Sequence, residues 1–243
     1  MRNEILKSLW DRKSVRIYED REIPAQDKRE IIEAAIQAPT AGNMSLYTLI
    51  DVTDPKIKQE LSVLCDNQPF IAQAPLILIF LADWQKWFDG FCLLHGEQVR
   101  SPASGDLWLA LSDSLIAAQN SVVAAESLGI GSCYIGDVIE NCAALRQLLN
   151  LPPYAVPAAM LCYGYPTEQQ KIRPKPQRIH AESAVFENGY RRLDRQGLEE
   201  YFSPIGGFEA AVDRVYLRKW TQPFMQEMTA SFEAYLKEFQ GDK

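Results

Sequence analysis

The stretch Ala124-Ala125-Glu126-Ser127-Leu128-Gly129-Ile130-Gly131-Ser132-Cys133-Tyr134-Ile135-Gly136 carries the longest helical pattern of the chain through a turn into a short β-strand. Upstream, from a start at Asp106, Leu111, Leu115, Ala118, Val122 and Ala125 recur every three to four residues. Ala117, Ala118, Ala124 and Ala125 make this helix slim and close-packing. It is read as the core of the domain and as a candidate face for a second copy. Gly129 stands where a C′ residue ends a helix, since a residue without Cβ enters the left-handed conformation freely. The spacing of Gly129, Gly131 and Gly136 fails G-x-G-x-x-G and follows a helix instead of a strand, which excludes a Rossmann dinucleotide site. The glycine turn instead offers a backbone that a flat ligand can approach closely.

Before this stretch, a first helix is predicted after Asn3, a good N-cap, burying Ile5, Leu6, Leu9 and Trp10 on one face. An extended run through Ile17-Tyr18 follows. Pro24 then leads a second helix with Ile31, Ile32, Ala35 and Ile36 inward, which stops before Ala38-Pro39. Tyr47 to Val52 reads as a strand, and Asp54-Pro55 opens a helix over Ile57, Leu61 and Leu64. Leu76 to Leu81 is apolar on both faces and so belongs in the middle of a sheet. Trp84, Trp87, Phe88 and Phe91 suggest a helix with an aromatic face, ahead of a polar loop from Gly96 to Gly105.

After it come a helix over Leu145, Leu148 and Leu149 and a buried strand from Val156 to Tyr163. Asp213 to Lys219 reads as helical. From Phe224 a last helix carries Met228, Phe232, Tyr235 and Phe239 on one stripe, to be covered by its own domain or by a partner.

The 243 residues are 47% hydrophobic and 23% charged, which is material for a sizeable core. A formal net charge of -7 works against nucleic acid or an anionic membrane as the main partner. The longest strongly apolar run, Pro75 to Ala82, is too short to cross a bilayer, and the first residues lack the apolar core of a signal peptide. Cys65, Cys92, Cys133, Cys142 and Cys162 are widely spaced without a C-x-x-C pair, and His95 and His180 are the only histidines. No metal site and no disulfide framework are expected, and a reducing cytoplasm is the natural setting.

Against this acidic background, Arg12-Lys13-Ser14-Val15-Arg16 places three cations and a hydroxyl within five residues. Taken alone, such a run is ordinary surface charge. Lys175 and Arg178 could close on the same anion from a second side, because guanidinium and ammonium groups make strong charge-assisted bonds to phosphate. There is no G-x-S-x-G elbow, no Walker loop and no H-E-x-x-H, and Cys133 reads as a buried structural thiol. Anion-binding features without a protein nucleophile point to chemistry borrowed from a cofactor.

Four segments resemble the FMN-dependent nitroreductase family, in its flavin reductase and oxygen-insensitive nitroreductase branch. Arg12-Lys13-Ser14-Val15-Arg16 is similar to the family's R/H-R-S-x-R, with Lys13 for the usual arginine. Ala38-Pro39-Thr40-Ala41-Gly42-Asn43 is similar to A-P-S-x-x-N, followed by Ser45-Leu46-Tyr47 where Q-P-W is common. The opening stretch is similar to A-A-E-S-L-G-L-G-x-x-Y-I-G. Lys175-Pro176-Gln177-Arg178, with Val185-Phe186-Glu187-Asn188, is similar to the K-P-R and V-F-x-E-N pair, one residue longer between the cations.

The resemblance implies an α+β fold, a mostly antiparallel sheet flanked by helices, in an intertwined homodimer with flavin at the interface. It implies one domain over residues 1–243, with 190–243 as an extension wrapping the partner. Arg12, Lys13, Ser14, Arg16, Lys175 and Arg178 would hold the FMN phosphate and ribityl chain. Thr40 and Asn43 would reach a flavin across the interface, and Gln68 would hydrogen-bond it. Gly131, Ser132, Tyr134, Ile135 and Gly136 would lie beside the isoalloxazine. The implied activity is ping-pong hydride transfer from NADH or NADPH through FMN to nitroaromatics, quinones or free flavin, with no catalytic side chain. Two alternatives remain open: a flavin-binding storage protein without turnover, and an enzyme of the same fold with other flavin chemistry, such as dehalogenation.

Overall fold

The computed structural model describes residues 2–240. Four strands, β1 (Tyr47–Asp51), β2 (Leu76–Asp83), β3 (Gly131–Ile135) and β4 (Ala155–Gly164), form one sheet in the order β1-β2-β4-β3. All three pairings are antiparallel. β2 is buried along its whole length and sits inside the sheet, as its unbroken apolar run requires. The helices among the described residues are α1 (Glu4–Asp11), α2 (Ala25–Ile36), α3 (Pro55–Leu64), α4 (Pro69–Ala72), α5 (Gln85–His95), α6 (Ser104–Ser127), α7 (Cys142–Leu149), α8 (Glu168–Ile172), α9 (Arg195–Phe202), α10 (Phe208–Val215) and α11 (Pro223–Gln240). The architecture is the α+β arrangement that the resemblance implies.

Alternation along the strands sorts the core into two layers. Leu78 and Phe80 of β2 and Leu161 and Tyr163 of β4 meet Ala117, Ala118, Val122 and Ala125 of α6, with Ile31 and Ala35 of α2 behind. The alanines let α6 lie close to the sheet, and Gly129 ends it in the left-handed region (φ 73°). On the other face Ile77, Ile79, Cys133, Met160 and Cys162 pack against Leu61 of α3 and Leu145 of α7. A third cluster buries Tyr235 and Phe239 of α11 with Leu46, Trp84, Leu107 and Val156. Part of the terminal aromatic stripe is thus covered by its own chain, and each such ring is worth about 1.5–3 kcal/mol when fully buried.

The chain parts into two compact units, one running to Arg173 and resuming at Met228, the other Pro174–Glu227. Within the second unit, Asp194 caps α9 by accepting from Gly197 N at 2.9 Å, and α10 continues into a wide turn at Tyr216–Trp220. Two expectations fail in the first unit. The apolar face of α1 stays exposed (Ile5 63%, Trp10 57%), and Ile36 and Leu115 are exposed as well. Sequence periodicity marks an apolar face but does not say that the same chain will cover it. No helix among the described residues is long and apolar enough to cross a membrane.

The N-terminal segment after α1 runs along the free edge of β3. Val15 N donates to Ser132 O at 2.9 Å, and Glu19 N donates to Tyr165 O at 2.8 Å. Gly131 and Gly164 are paired across β3 and β4, so both face the same side of the sheet. A Cβ at Gly131 would lie 2.5 Å from Val15 Cγ2, and one at Gly164 would lie 2.5 Å from Tyr18 Cδ1. Val15 and Tyr18 therefore occupy the two places where side chains are missing.

Arg100 forks onto Asp106 at 2.6 and 2.9 Å and ties the loop before α6 to the helix. Asp106 Oδ2 also accepts from Ala103 N at 2.9 Å. The hydrogen bond from Arg100 is the main reason the Asp106 carboxyl is held below its usual range. Its stabilisation is therefore complete above the unfolded value of about 3.9 and is lost as pH falls through the lower folded value. Thermal melts should show a steeper acid decline for the wild type than for Arg100→Ala. At pH 7, Gly131→Ala should lower stability by about 1–3 kcal/mol through overpacking. Val15→Ala in the same chain should recover part of that loss, and strict additivity of the two changes would contradict the contact.

Candidate functional site

Arg12 is the C-cap of α1, which is where the helix hands over to the edge segment. Its guanidinium lies 5.8 Å from the centre of the Tyr134 ring on β3. Two of its nitrogens, Nε and Nη2, are shielded from solvent and have no hydrogen-bond partner among the described residues. Leaving charged donors buried and unmet costs several kcal/mol, so this geometry suits an anion. Three more shielded and unmet polar atoms flank the same segment: Ser132 Oγ, Thr167 Oγ1 and Arg173 Nε. Ser14 is bridged to Ser132, Ile17 O accepts from Thr167 N at 3.4 Å, and Arg173 Nη2 donates to Ser14 O. One short segment thus gathers two arginines and two hydroxyls around itself.

The other predicted cations behave differently. Lys13 Nζ donates to Lys171 O at 2.6 Å and to Arg173 O, so its ammonium is spent holding the chain after α8. Arg16 is exposed, 5.9 Å from the Phe70 ring. Lys175 and Arg178 lie in the second unit, where Arg178 Nη1 donates to Pro176 O at 3.2 Å.

Burial raises the phenol of Tyr134 to about 12, with Arg12 acting in the opposite direction. Tyr134 therefore stays protonated and donates to Gln119 Oε1 at 3.3 Å. Ile135 is buried in the sheet, and Cys133 is a wholly buried thiol, as its sequence context implied. The open backbone predicted at Gly131 is taken up by Val15. Gly136 at the end of β3 is different, since nothing lies within 4 Å of where its Cβ would be. The side chain of Gln68 is turned inward, donating to Cys65 O at 2.9 Å and to Asp137 Oδ2 at 2.5 Å.

Thr40 and Asn43 sit on a tight turn before β1. Gly42 (φ 54°), Asn43 (φ 58°) and Ser45 (φ 51°) are all left-handed, and Thr40 Oγ1 accepts from Ser45 N at 3.2 Å. Asp113 of α6 reaches this turn and accepts from Ala41 N at 2.9 Å and Leu46 N at 3.2 Å. From α5, Trp87 Nε1 donates to Met44 O at 2.8 Å.

The nitroreductase family model matches residues 9–165, which includes the edge segment, the turn and the whole sheet. The chain belongs to the nitroreductase family. Among its relatives, an FMN reductase [NAD(P)H] of Bacillus subtilis is 35% identical over 71% of this chain and 70% of its own length. An oxygen-insensitive NADPH nitroreductase of Salmonella typhimurium is 30% identical over 81% and 78%. The solved structure of the hypothetical oxidoreductase YcnD from Bacillus subtilis superposes with a TM-score of 0.78 at 28% identity, covering 95% of this chain and 98% of that one.

Two residues that the structure draws to these segments were missed in the sequence. Arg173 sat unweighted in a run of basic residues, and only the fold shows it reaching Ser14. Asp113 lies in an apolar helix where one acidic residue reads as a solvated face, and no local signal points to a turn 67–72 positions earlier.

Phosphate should raise the melting temperature of the flavin-free wild type but not of Arg12→Ala, as read by thermal shift with inorganic phosphate. Lys13→Ala should melt lower yet keep the response. An undiminished response in Arg12→Ala would remove Arg12 from the site.

Proposed function

We propose that Arg12 and Arg173, with the hydroxyl of Ser132, hold the phosphate of FMN. Ser14 and Arg16 line the ribityl side. The protein is an FMN-dependent NAD(P)H oxidoreductase. The observation that carries the phosphate assignment is the pair of buried, unmet guanidinium nitrogens of Arg12. Two parallel N–H groups match two oxygens of a dianion, which a single ammonium cannot do.

FMN, when bound, would supply the two-electron redox chemistry between NADH or NADPH and a nitroaromatic, a quinone or free flavin. The chain supplies position and field. Arg12 and Arg173 place positive charge at one end of the site, and Tyr134, protonated at neutral pH, braces Arg12 through its ring. Gly136 leaves room for a flat ring over the end of β3, Gln68 borders it from the loop before α4, and Thr40 and Asn43 reach the flavin across the interface between two copies. No side chain acts as acid or base, consistent with a site built from donors and backbone.

A second copy of the chain completes the site in this reading. The apolar faces of α1 (Ile5, Leu6, Leu9, Trp10) and α6 (Trp108, Leu109, Ile116) are exposed in a single chain. A patch of that extent on two neighbouring helices is what an isologous dimer buries. Residues 190–243, of which 241–243 lie outside the described residues, form the extension that wraps the partner. The five free cysteines fit a cytoplasmic setting.

The purified protein should be yellow, bleach on anaerobic addition of NADPH or NADH, and oxidise either donor steadily with a quinone or nitroaromatic. A colourless protein that takes up no FMN would overturn the reading. One that holds FMN without turnover would establish storage instead. Trp108→Asp should shift the protein from dimer to monomer in sedimentation and lower its flavin content.

A further inference from the structure

Asp113 is a carboxylate only 3% exposed in the middle of α6. No lysine, arginine or histidine forms an ion pair with it among the described residues. What it has instead are two backbone donors, Ala41 N on Oδ1 and Leu46 N on Oδ2. These donors stand at the two ends of the turn that carries Asn43. Between them the chain takes three left-handed residues, two of which carry side chains and are disfavoured there. Inside the turn Asn43 N donates to Thr40 O at 3.4 Å, Met44 N to Ala41 O at 3.0 Å and Ser45 N to Thr40 Oγ1, and Trp87 braces Met44 O from outside; Asp113 ties both ends of the turn to α6. A buried charge is tolerated only where hydrogen bonds repay its desolvation, and here both oxygens are spent on the turn.

We propose that Asp113 is the positioning residue of the flavin site, fixing the 40–46 turn so that Thr40 and Asn43 are presented in one conformation. It touches no reacting atom and acts only through this turn. The assignment rests on the reading of the turn as a border of the FMN site. Ser114, its neighbour on α6, is also buried, but its one hydroxyl proton is shared between Ala110 O at 2.7 Å and Leu81 O at 3.0 Å and not given to the turn. Ser114→Ala is therefore a matched control for loss of a buried hydrogen bond in the same helix.

Two measurements separate the proposal from the reading beneath it. Amide hydrogen exchange on the flavin-free protein should show Ala41 and Leu46 protected in the wild type and in Ser114→Ala. Both should open at least tenfold faster in Asp113→Ala. Asp113→Asn keeps one acceptor oxygen and should lose protection at one of the two amides, which keeps the test usable if the alanine variant fails to fold. FMN titration should show a dissociation constant at least tenfold higher for Asp113→Asn and unchanged for Ser114→Ala, with kcat/KM for the acceptor falling in parallel. Unchanged exchange at both amides in Asp113→Asn would overturn the proposal. Loosened amides with unchanged FMN affinity would leave Asp113 as the anchor of the turn and remove the turn from the flavin site.

Discussion

The paired absence of side chains at Gly131 and Gly164 is the constraint on which the site depends. Because the two glycines face each other across β3 and β4, they leave a depression at the sheet's edge that Val15 and Tyr18 fill. That packing lays the segment from Arg12 to Ile17 along β3 in one register. Register then decides everything charged: Arg12 comes over Tyr134, Ser14 over Ser132, and the carbonyls of Ser14 and Ile17 face Arg173 and Thr167. A one-residue slip would turn Val15 out of the depression and the arginines away from the hydroxyls.

The electrostatics follow from the same placement. The chain is acidic overall, yet at the edge of β3 it buries cationic donors without a protein partner among the described residues, an arrangement that suits an anionic ligand. Lys13 shows the division of labour within five residues. Its ammonium gives up the ligand to hold the carbonyls of Lys171 and Arg173, which keeps Arg173 against Ser14. Before β1, a buried carboxylate without a counter-cation among the described residues holds a strained turn. The edge segment and this turn are both backbone segments pinned by charged side chains, and the sheet and α6 provide the frame.

Much of the fold was legible in the sequence because its signals are local. The doubly apolar run at Leu76 announced a central strand, Gly129 announced the end of α6, and Asn3 and Asp54 announced helix starts. The exposed face of α1 was not legible, since periodicity reports an apolar face but not what covers it. The candidate site was legible in part. The five-residue cluster is where unmet donors gather, but which of its cations is left unmet depends on contacts more than 150 positions away, as with Lys13 and Arg173. Gly131 was read as room for a ligand and turned out to be room for Val15, because a glycine in sequence does not show what fills the space beside it.

Calorimetric titration of the flavin-free protein with FMN and with riboflavin, which differ only in the phosphate, tests the central claim most directly. A clamp built on buried guanidinium donors, each charged bond worth about 1.5–3 kcal/mol, predicts that FMN binds at least a hundredfold more tightly than riboflavin. It also predicts that Arg12→Ala closes most of that gap by weakening FMN alone. Equal affinity of the wild type for the two flavins, or an unchanged ratio in Arg12→Ala, would contradict it.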